Sequence, residues 1–185
     1  TYTGNGNRDI DFMGKAIMVR SANGPKNCII NCQGTEDHPH RGFKFWRGED
    51  HSSVLDGFTI KKGYGLLEID GDWLQVAGGI LCLKSSPTIT NCIVRNNCSI
   101  IGGAITYLDH SSANINNCMI YNNSTSNHGG INGGIIIAYY SDVSVTNCTI
   151  VNNPARTGEG ILCASYSTGT ITNCIIWGES NNQLD

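Results

Sequence analysis

The sequence predicts an all-β chain wound into a parallel β-helix, a solenoid of about six coils with three short strands in each. Three observations predict it. The phrase apolar-x-Asn-Cys-x-apolar recurs at Ile89–Val94, Ile115–Ile120, Val145–Ile150 and Ile171–Ile176. Its asparagines, Asn91, Asn117, Asn147 and Asn173, are spaced 117 − 91 = 26, 147 − 117 = 30 and 173 − 147 = 26 residues apart. Between the phrases lie short β-branched runs separated by Gly, Asn and Ser, a unit too short and too poor in helix formers for paired helices.

The frame extends toward the N-terminus in weaker wording. Gly57 takes the asparagine's place in Leu55–Ile60, and Asn31 takes it in the run Ile29-Ile30-Asn31-Cys32, giving steps of 57 − 31 = 26 and 91 − 57 = 34. The coils are therefore 26–34 residues long, and residues 63–78 form an inserted loop in the third coil of one domain spanning 1–185. Glycines before each first strand, Gly42, Gly79, Gly103, Gly134 and Gly160, set its phase.

Strand alternation then assigns faces. In the first strand the inward pairs are Phe43/Phe45, Ile80/Cys82, Ala104/Thr106, Ile135/Ile137 and Ile161/Cys163. The second strand turns Ile29, Leu55, Ile89, Ile115, Val145 and Ile171 inward. The third turns in Cys32, Phe58, Cys92, Cys118, Cys148 and Cys174, followed by Ile60, Val94, Ile120, Ile150 and Ile176. The asparagine row, Asn31, Asn91, Asn117, Asn147 and Asn173, is placed at a buried bend between second and third strands, where stacked amides bond one to the next.

Composition bounds the function. The 185 residues are 39% hydrophobic, enough for a core, with no run near the roughly 18 apolar residues of a membrane span. A net charge of −3 provides no basic stripe for nucleic acid and no basic amphipathic segment for a membrane surface. The 23 glycines and 21 asparagines match a chain of many tight turns. Nine cysteines leave at least one unpaired within a monomer. Cys92, Cys118, Cys148 and Cys174 read as small apolar core residues, with vertical disulfides such as Cys92–Cys118 and Cys148–Cys174 as the rival reading. Cys98 falls in a turn and is the candidate exposed thiol.

The phrases Thr1–Asn7 (TYTGNGN), Leu55–Ile60 (LDGFTI), Gly-Gly-Ile-x-Cys and Ser-Pro-Thr-Ile-Thr-Asn-Cys resemble the right-handed parallel β-helix repeat proteins of the pectate-lyase-like superfamily, found on secreted and surface proteins of microbes. The resemblance covers essentially the whole chain and implies an extracellular or cell-surface location. It also implies further coils beyond both termini, so both ends read as uncapped. The fold hosts lyases, hydrolases, adhesins and inert stalks, so it does not specify an activity.

Pectin-cleaving relatives carry acids, calcium ligands and basic residues on the outer face of the first strand. Here that face reads Lys44/Trp46, Leu81/Leu83, Ile105/Tyr107, Ile136/Ala138 and Leu162/Ala164, with no carboxylate or arginine. Neither uronate proton abstraction nor a paired-carboxylate hydrolysis can run from such a row. The remaining catalytic candidates are the rim acids Glu49, Asp109 and Asp142. Asp70 and Asp72 in the insertion are weak calcium candidates, and no cofactor other than calcium is expected. Trp73 reads either as a sugar-stacking platform or as a lid. Sequons mark Asn97, Asn122 and Asn123 along one edge as possible glycosylation sites, while that of Asn147 is expected to be inaccessible.

The apolar row of Leu81, Leu83, Ile105, Ile136 and Leu162, flanked by Trp46 and Tyr107, calls for a cover, either the insertion or a second copy of the chain. The expected function is thus a non-catalytic extracellular structural or adhesive module that self-assembles end to end, sideways, or both. The alternatives are a polysaccharide lyase or glycoside hydrolase with a displaced site, and a carbohydrate-binding module resting on Trp46, Trp73 and Tyr107.

Overall fold

A computed structural model describes residues 1–69, 72–125, 133–155 and 160–178; the side chains of residues 67–69 and 72–74 are not among those described. It is a parallel β-solenoid whose three strands per coil build three six-stranded sheets. Sheet 1 stacks Ile10–Asp11, Phe43–Phe45, Ile80–Leu83, Ile105–Leu108, Ile135–Ala138 and Ile161–Cys163. Sheet 2 stacks Met18–Arg20, Val54–Asp56, Thr88–Thr90, Asn114–Asn116, Asp142–Thr146 and Thr168–Thr172. Sheet 3 stacks Ile29–Asn31, Thr59–Lys61, Ile93–Arg95, Met119–Tyr121, Thr149–Val151 and Ile175–Trp177. Six rungs make about five turns. No helix among the described residues is long and apolar enough to cross a membrane.

The rows inside are like on like because each strand pairs in register with the rung on either side. Leu55, Ile89, Ile115, Val145 and Ile171 are consecutive partners in sheet 2, and Ile60, Val94, Ile120, Ile150 and Ile176 in sheet 3. Fully burying one such side chain stabilises by about 1.5–3 kcal/mol.

Two phases differ from the sequence expectation. In the first coil Val19, not Ile29, pairs with Leu55, and Ile30 pairs with Ile60. Asn31 therefore lies beside Lys61 in sheet 3 and is no part of the asparagine corner. The Asn31-Cys32 phrase imitates the repeat, but residues 21–27 form a longer corner that consumes the offset. Cys28, whose carbonyl accepts from Thr59 N–H as that of Phe58 does from Ile93, heads the cysteine row in place of Cys32.

The second shift is in sheet 1, where Ile80, Cys82 and Ile105, Tyr107 are partners. Ile105 and Tyr107 are fully buried in the core, and Thr106 and Leu108 face outward, contrary to the expected face. The residue aligned with Gly79 and Gly134 is Ala104, since its carbonyl takes both Gly79 and Ile80 N–H groups as that of Gly134 takes Ala104 and Ile105. Counting from Gly103 displaced the strand by one residue, and one residue exchanges the faces.

The corners rest on three side-chain rows. Between sheets 2 and 3, Asn91, Asn117, Asn147 and Asn173 all have φ of +52° to +55°, the left-handed region that asparagine tolerates better than most residues. These amides do bond along the row, Asn173 Nδ2 to Asn147 Oδ1 at 2.5 Å and Asn91 Nδ2 to Asp56 Oδ1 at 2.8 Å, yet they are exposed, Asn147 included. The buried ladder is a different one, Asn97, Asn123 and Asn153, between sheets 3 and 1. Asn97 Nδ2 donates to Asn123 Oδ1 and Asn123 Nδ2 to Asn153 Oδ1, each at 2.9 Å. The same oxygens accept the N–H groups of Asn97 and Asn123 at 3.1 Å. Asn97 and Asn123 are thus enclosed, and of the three expected glycosylation positions only Asn122 is exposed.

Between sheets 1 and 2 runs a hydroxyl ladder. Ser85, Ser111 and Ser141 N–H groups donate to the Oγ of Ser111, Ser141 and Ser167 at 3.3, 3.2 and 3.0 Å. Replacing Asn123 by Ala strands the Asn97 N–H group and takes the side-chain donor from the Val94 and Tyr121 carbonyls, each costing about 1–3 kcal/mol when buried and unmade. Chemical denaturation should show N123A destabilised by more than about 2 kcal/mol, and N117A, at an exposed corner, by no more than about 1 kcal/mol.

Candidate functional site

Outside the core, a second apolar cluster covers the outer face of sheet 1. Leu81, Leu108, Ile136 and Ala138 project outward and meet Val76 and Ala77 from the end of the insertion, with Ile101 and Leu162 against them. Val76 is held there by a parallel bridge to Ile101. Gly102, at φ +68°, closes over Thr106, because a Cβ at that position would meet Thr106 Oγ1 at 2.0 Å. The insertion therefore covers part of the apolar row. Leu81 and Ile136 are only 1% and 3% exposed in the isolated chain, while Leu83 and Leu162 stay half-buried.

What remains open is a groove of about 580 Å³ between the Val76/Ile101 wall and the corner into sheet 2. Leu108, Ile136 and Leu162 form its apolar floor, and Asp109, His110, Tyr139, Tyr140 and Ser165 its polar rim. That rim has an unusual backbone. Asp109-His110, Tyr139-Tyr140 and Ser165-Tyr166 are consecutive left-handed pairs with φ of +53°/+60°, +57°/+59° and +54°/+60°. A bulky residue in this region is strained by about 1–3 kcal/mol, and such strain concentrates where a surface is being presented.

Here the strained turns stack their side chains. The His110 ring lies on Tyr140 and Tyr140 on Tyr166, both with centroids 5.3 Å apart and planes within 15°. The outcome is an exposed aromatic column beside the groove, with Tyr166 86% exposed.

The acids of the rim are not brought together. Glu49 is buried at the head of the serine ladder, where it accepts from Gly14 N–H, Arg47 N–H and Ser85 Oγ, each at 2.9 Å. Burial pushes its carboxyl up, but these donors outweigh it and hold the pKa below its ordinary 4.5. Glu49 is a structural corner rather than a free acid. Asp109 is paired with His110 Nδ1 at 2.7 Å and Lys84 Nζ at 3.1 Å, which hold its pKa low. Asp142 accepts from Thr168 Oγ1 at 2.8 Å and opens onto a separate 270 Å³ depression on sheet 2, shared with His51 and Asn114.

Of the other expected site residues, Trp46 donates its Nε1–H to Asp11 at 2.8 Å and carries Lys44 Nζ 4.3 Å over its ring, away from the groove. Tyr107 cannot meet a ligand, being in the core. The insertion is an antiparallel hairpin, Leu67–Ile69 with Asp72–Leu74; Asp70 lies outside the described residues, as do the side chains of Asp72 and Trp73. Among the described residues no three His, Cys, Asp or Glu groups converge to hold a metal ion. Cys98 is half-buried, and desolvation raises its thiol pKa.

The tyrosine column was absent from the sequence reading although it was periodic. His110, Tyr140 and Tyr166 are 30 and 26 residues apart, the step of the asparagines, as Ser85, Ser111, Ser141 and Ser167 are at 26, 30 and 26.

Fold and face thus define a parallel β-solenoid with an apolar groove and an aromatic rim. No family model matches the chain, and no solved structure matches it. It is 30% identical over 81 residues to the metabotropic glutamate receptor-like protein R of Dictyostelium discoideum, a stretch of 44% of this chain and 5% of that protein. The match therefore spans a small fraction of that relative's length.

The lowered pKa of Glu49 means that its stabilisation is complete above about pH 4.5 and is lost as pH falls through its folded value. The melting temperature should fall on acidification below about pH 4.5, and Glu49→Gln should melt lower at neutral pH with a shallower acid limb. A variant with an unchanged acid limb would remove Glu49 from the corner's account.

Proposed function

We propose that the chain is a non-catalytic extracellular adhesive or structural module of the right-handed, pectate-lyase-like kind, and that the sheet 1 groove with its aromatic rim is its contact face. The observation that carries this reading is the chemistry of that face. Where a carbohydrate-cleaving solenoid needs converging acids, this one has an apolar floor, while Glu49 is committed to a corner and Asp109 and Asp142 open onto different depressions. An apolar concavity edged by aromatic side chains suits association and not bond cleavage.

A second copy of the chain, packed sideways on the half-buried Leu83 and Leu162, is the partner this face favours. Completing the burial of each such leucine contributes a fraction of the about 1.5–3 kcal/mol of full burial, so the two together strengthen association by roughly tenfold. A carbohydrate partner is the second reading, favoured by the exposed Tyr140 and Tyr166.

Leu83→Asp with Leu162→Asp should weaken self-association by at least tenfold in analytical ultracentrifugation while circular dichroism stays unchanged. Tyr140→Ala with Tyr166→Ala separates the readings. Loss of glycan-array binding with self-association intact would favour carbohydrate, and concentration-independent single rods with no glycan signal would remove both. Release of new reducing or unsaturated sugar ends by the wild-type chain would overturn the non-catalytic assignment.

A further inference from the structure

The cysteine row has a use that packing alone does not require. Cys92, Cys118, Cys148 and Cys174 occupy consecutive rungs in strict register, one above another beside the paired strands of sheet 3. Rungs about 4.8 Å apart bring neighbouring Cα atoms into the separation that a disulfide spans. The sulfurs lean toward one another's backbone. Cys148 Sγ accepts the N–H of Cys118, and Cys174 Sγ accepts the N–H of Cys148, both at 3.4 Å. All nine thiols are free. Within the row only Cys174 is half-buried, while Cys92, Cys118 and Cys148 are enclosed.

We propose that Cys148 and Cys174 are an oxidation site, closing to a disulfide that staples two adjacent rungs when the protein meets a hydroperoxide. Cys174 is the thiol an oxidant reaches. Its sulfur takes one oxygen as the peroxide O–O bond breaks, giving a sulfenic acid and one water. Cys148 then attacks that sulfur; the S–S bond forms, the S–O bond breaks and the oxygen leaves as a second water. Two thiols and one hydrogen peroxide become one disulfide and two waters, the sulfurs being oxidised and the peroxide oxygens reduced.

Cys148 is prepared for that attack. The neighbouring Cys118 thiol outweighs burial and, with the Cys118 N–H that donates to Cys148 Sγ at 3.4 Å, brings the Cys148 thiol down to about 7. The backbone N–H of Cys118 thus holds the Cys148 sulfur from the neighbouring rung. The staple does not depend on which partner the groove binds.

The test is mild hydrogen peroxide treatment of the reduced chain, followed by intact mass measurement and proteolytic mapping without reductant. The expected result is loss of two hydrogen atoms per chain, a peptide joining Cys148 to Cys174, and a denaturation midpoint that rises and returns on reduction. Cys148→Ser should instead leave Cys174 gaining oxygen and trappable by dimedone. No mass loss in the wild type would overturn the proposal, as would a cross-link that joins other cysteines. The wild-type map alone decides it if Cys148→Ser does not fold.

Discussion

Everything in this molecule depends on the registered stacking of parallel strands at about 4.8 Å. No strand of a rung can satisfy its backbone N–H and C=O groups within that rung, so each takes its partners from the rungs above and below. Register then forces every side chain over its counterpart, and the interior becomes columns of isoleucine, valine and cysteine. The buried amides and hydroxyls of the corners form columns too. Asn97, Asn123 and Asn153 do so, Asn97 and Asn123 each bonding the next amide and all three bonding backbone carbonyls, and the serine row does so with hydroxyls.

The corners follow from the same geometry. A triangular coil must turn three times in very few residues, and a single left-handed residue turns the chain most sharply. Asparagine supplies it between sheets 2 and 3, where its amide faces solvent. Between sheets 1 and 2 the turns at Asp109-His110, Tyr139-Tyr140 and Ser165-Tyr166 take two left-handed residues in succession, so histidine and tyrosine occupy strained positions. The strain is offset by the ladder beneath and by ring stacking above, so a costly backbone holds an aromatic column at the edge of the groove.

The groove's character also follows from a packing choice. An apolar outer face on a β-solenoid would be an aggregation surface if left open. The end of the insertion, through Val76 and Ala77, takes up Leu81 and part of Ile136, narrowing a whole sheet face to one concavity. The outward acids stay apart because Asp109 lies on the groove's rim and Asp142 around the corner on the next sheet.

The sequence by itself determined the solenoid, its step, the inward columns of sheets 2 and 3 from Leu55 onward, and the placing of Asn91, Asn117, Asn147 and Asn173 at a corner. Period and alternation are properties of the covalent chain, and they survive whatever surrounds them. Only the tertiary structure decided which of two asparagine rows is buried, because both repeat with the same step and burial depends on whether a corner turns its side chain in or out. It also decided the faces of Ile105–Leu108 and the pairing of Val19 with Leu55. There a single alanine in a glycine's place, or a longer corner before Cys28, shifts the register, and backbone hydrogen bonding to the neighbouring rung alone settles which way each side chain points.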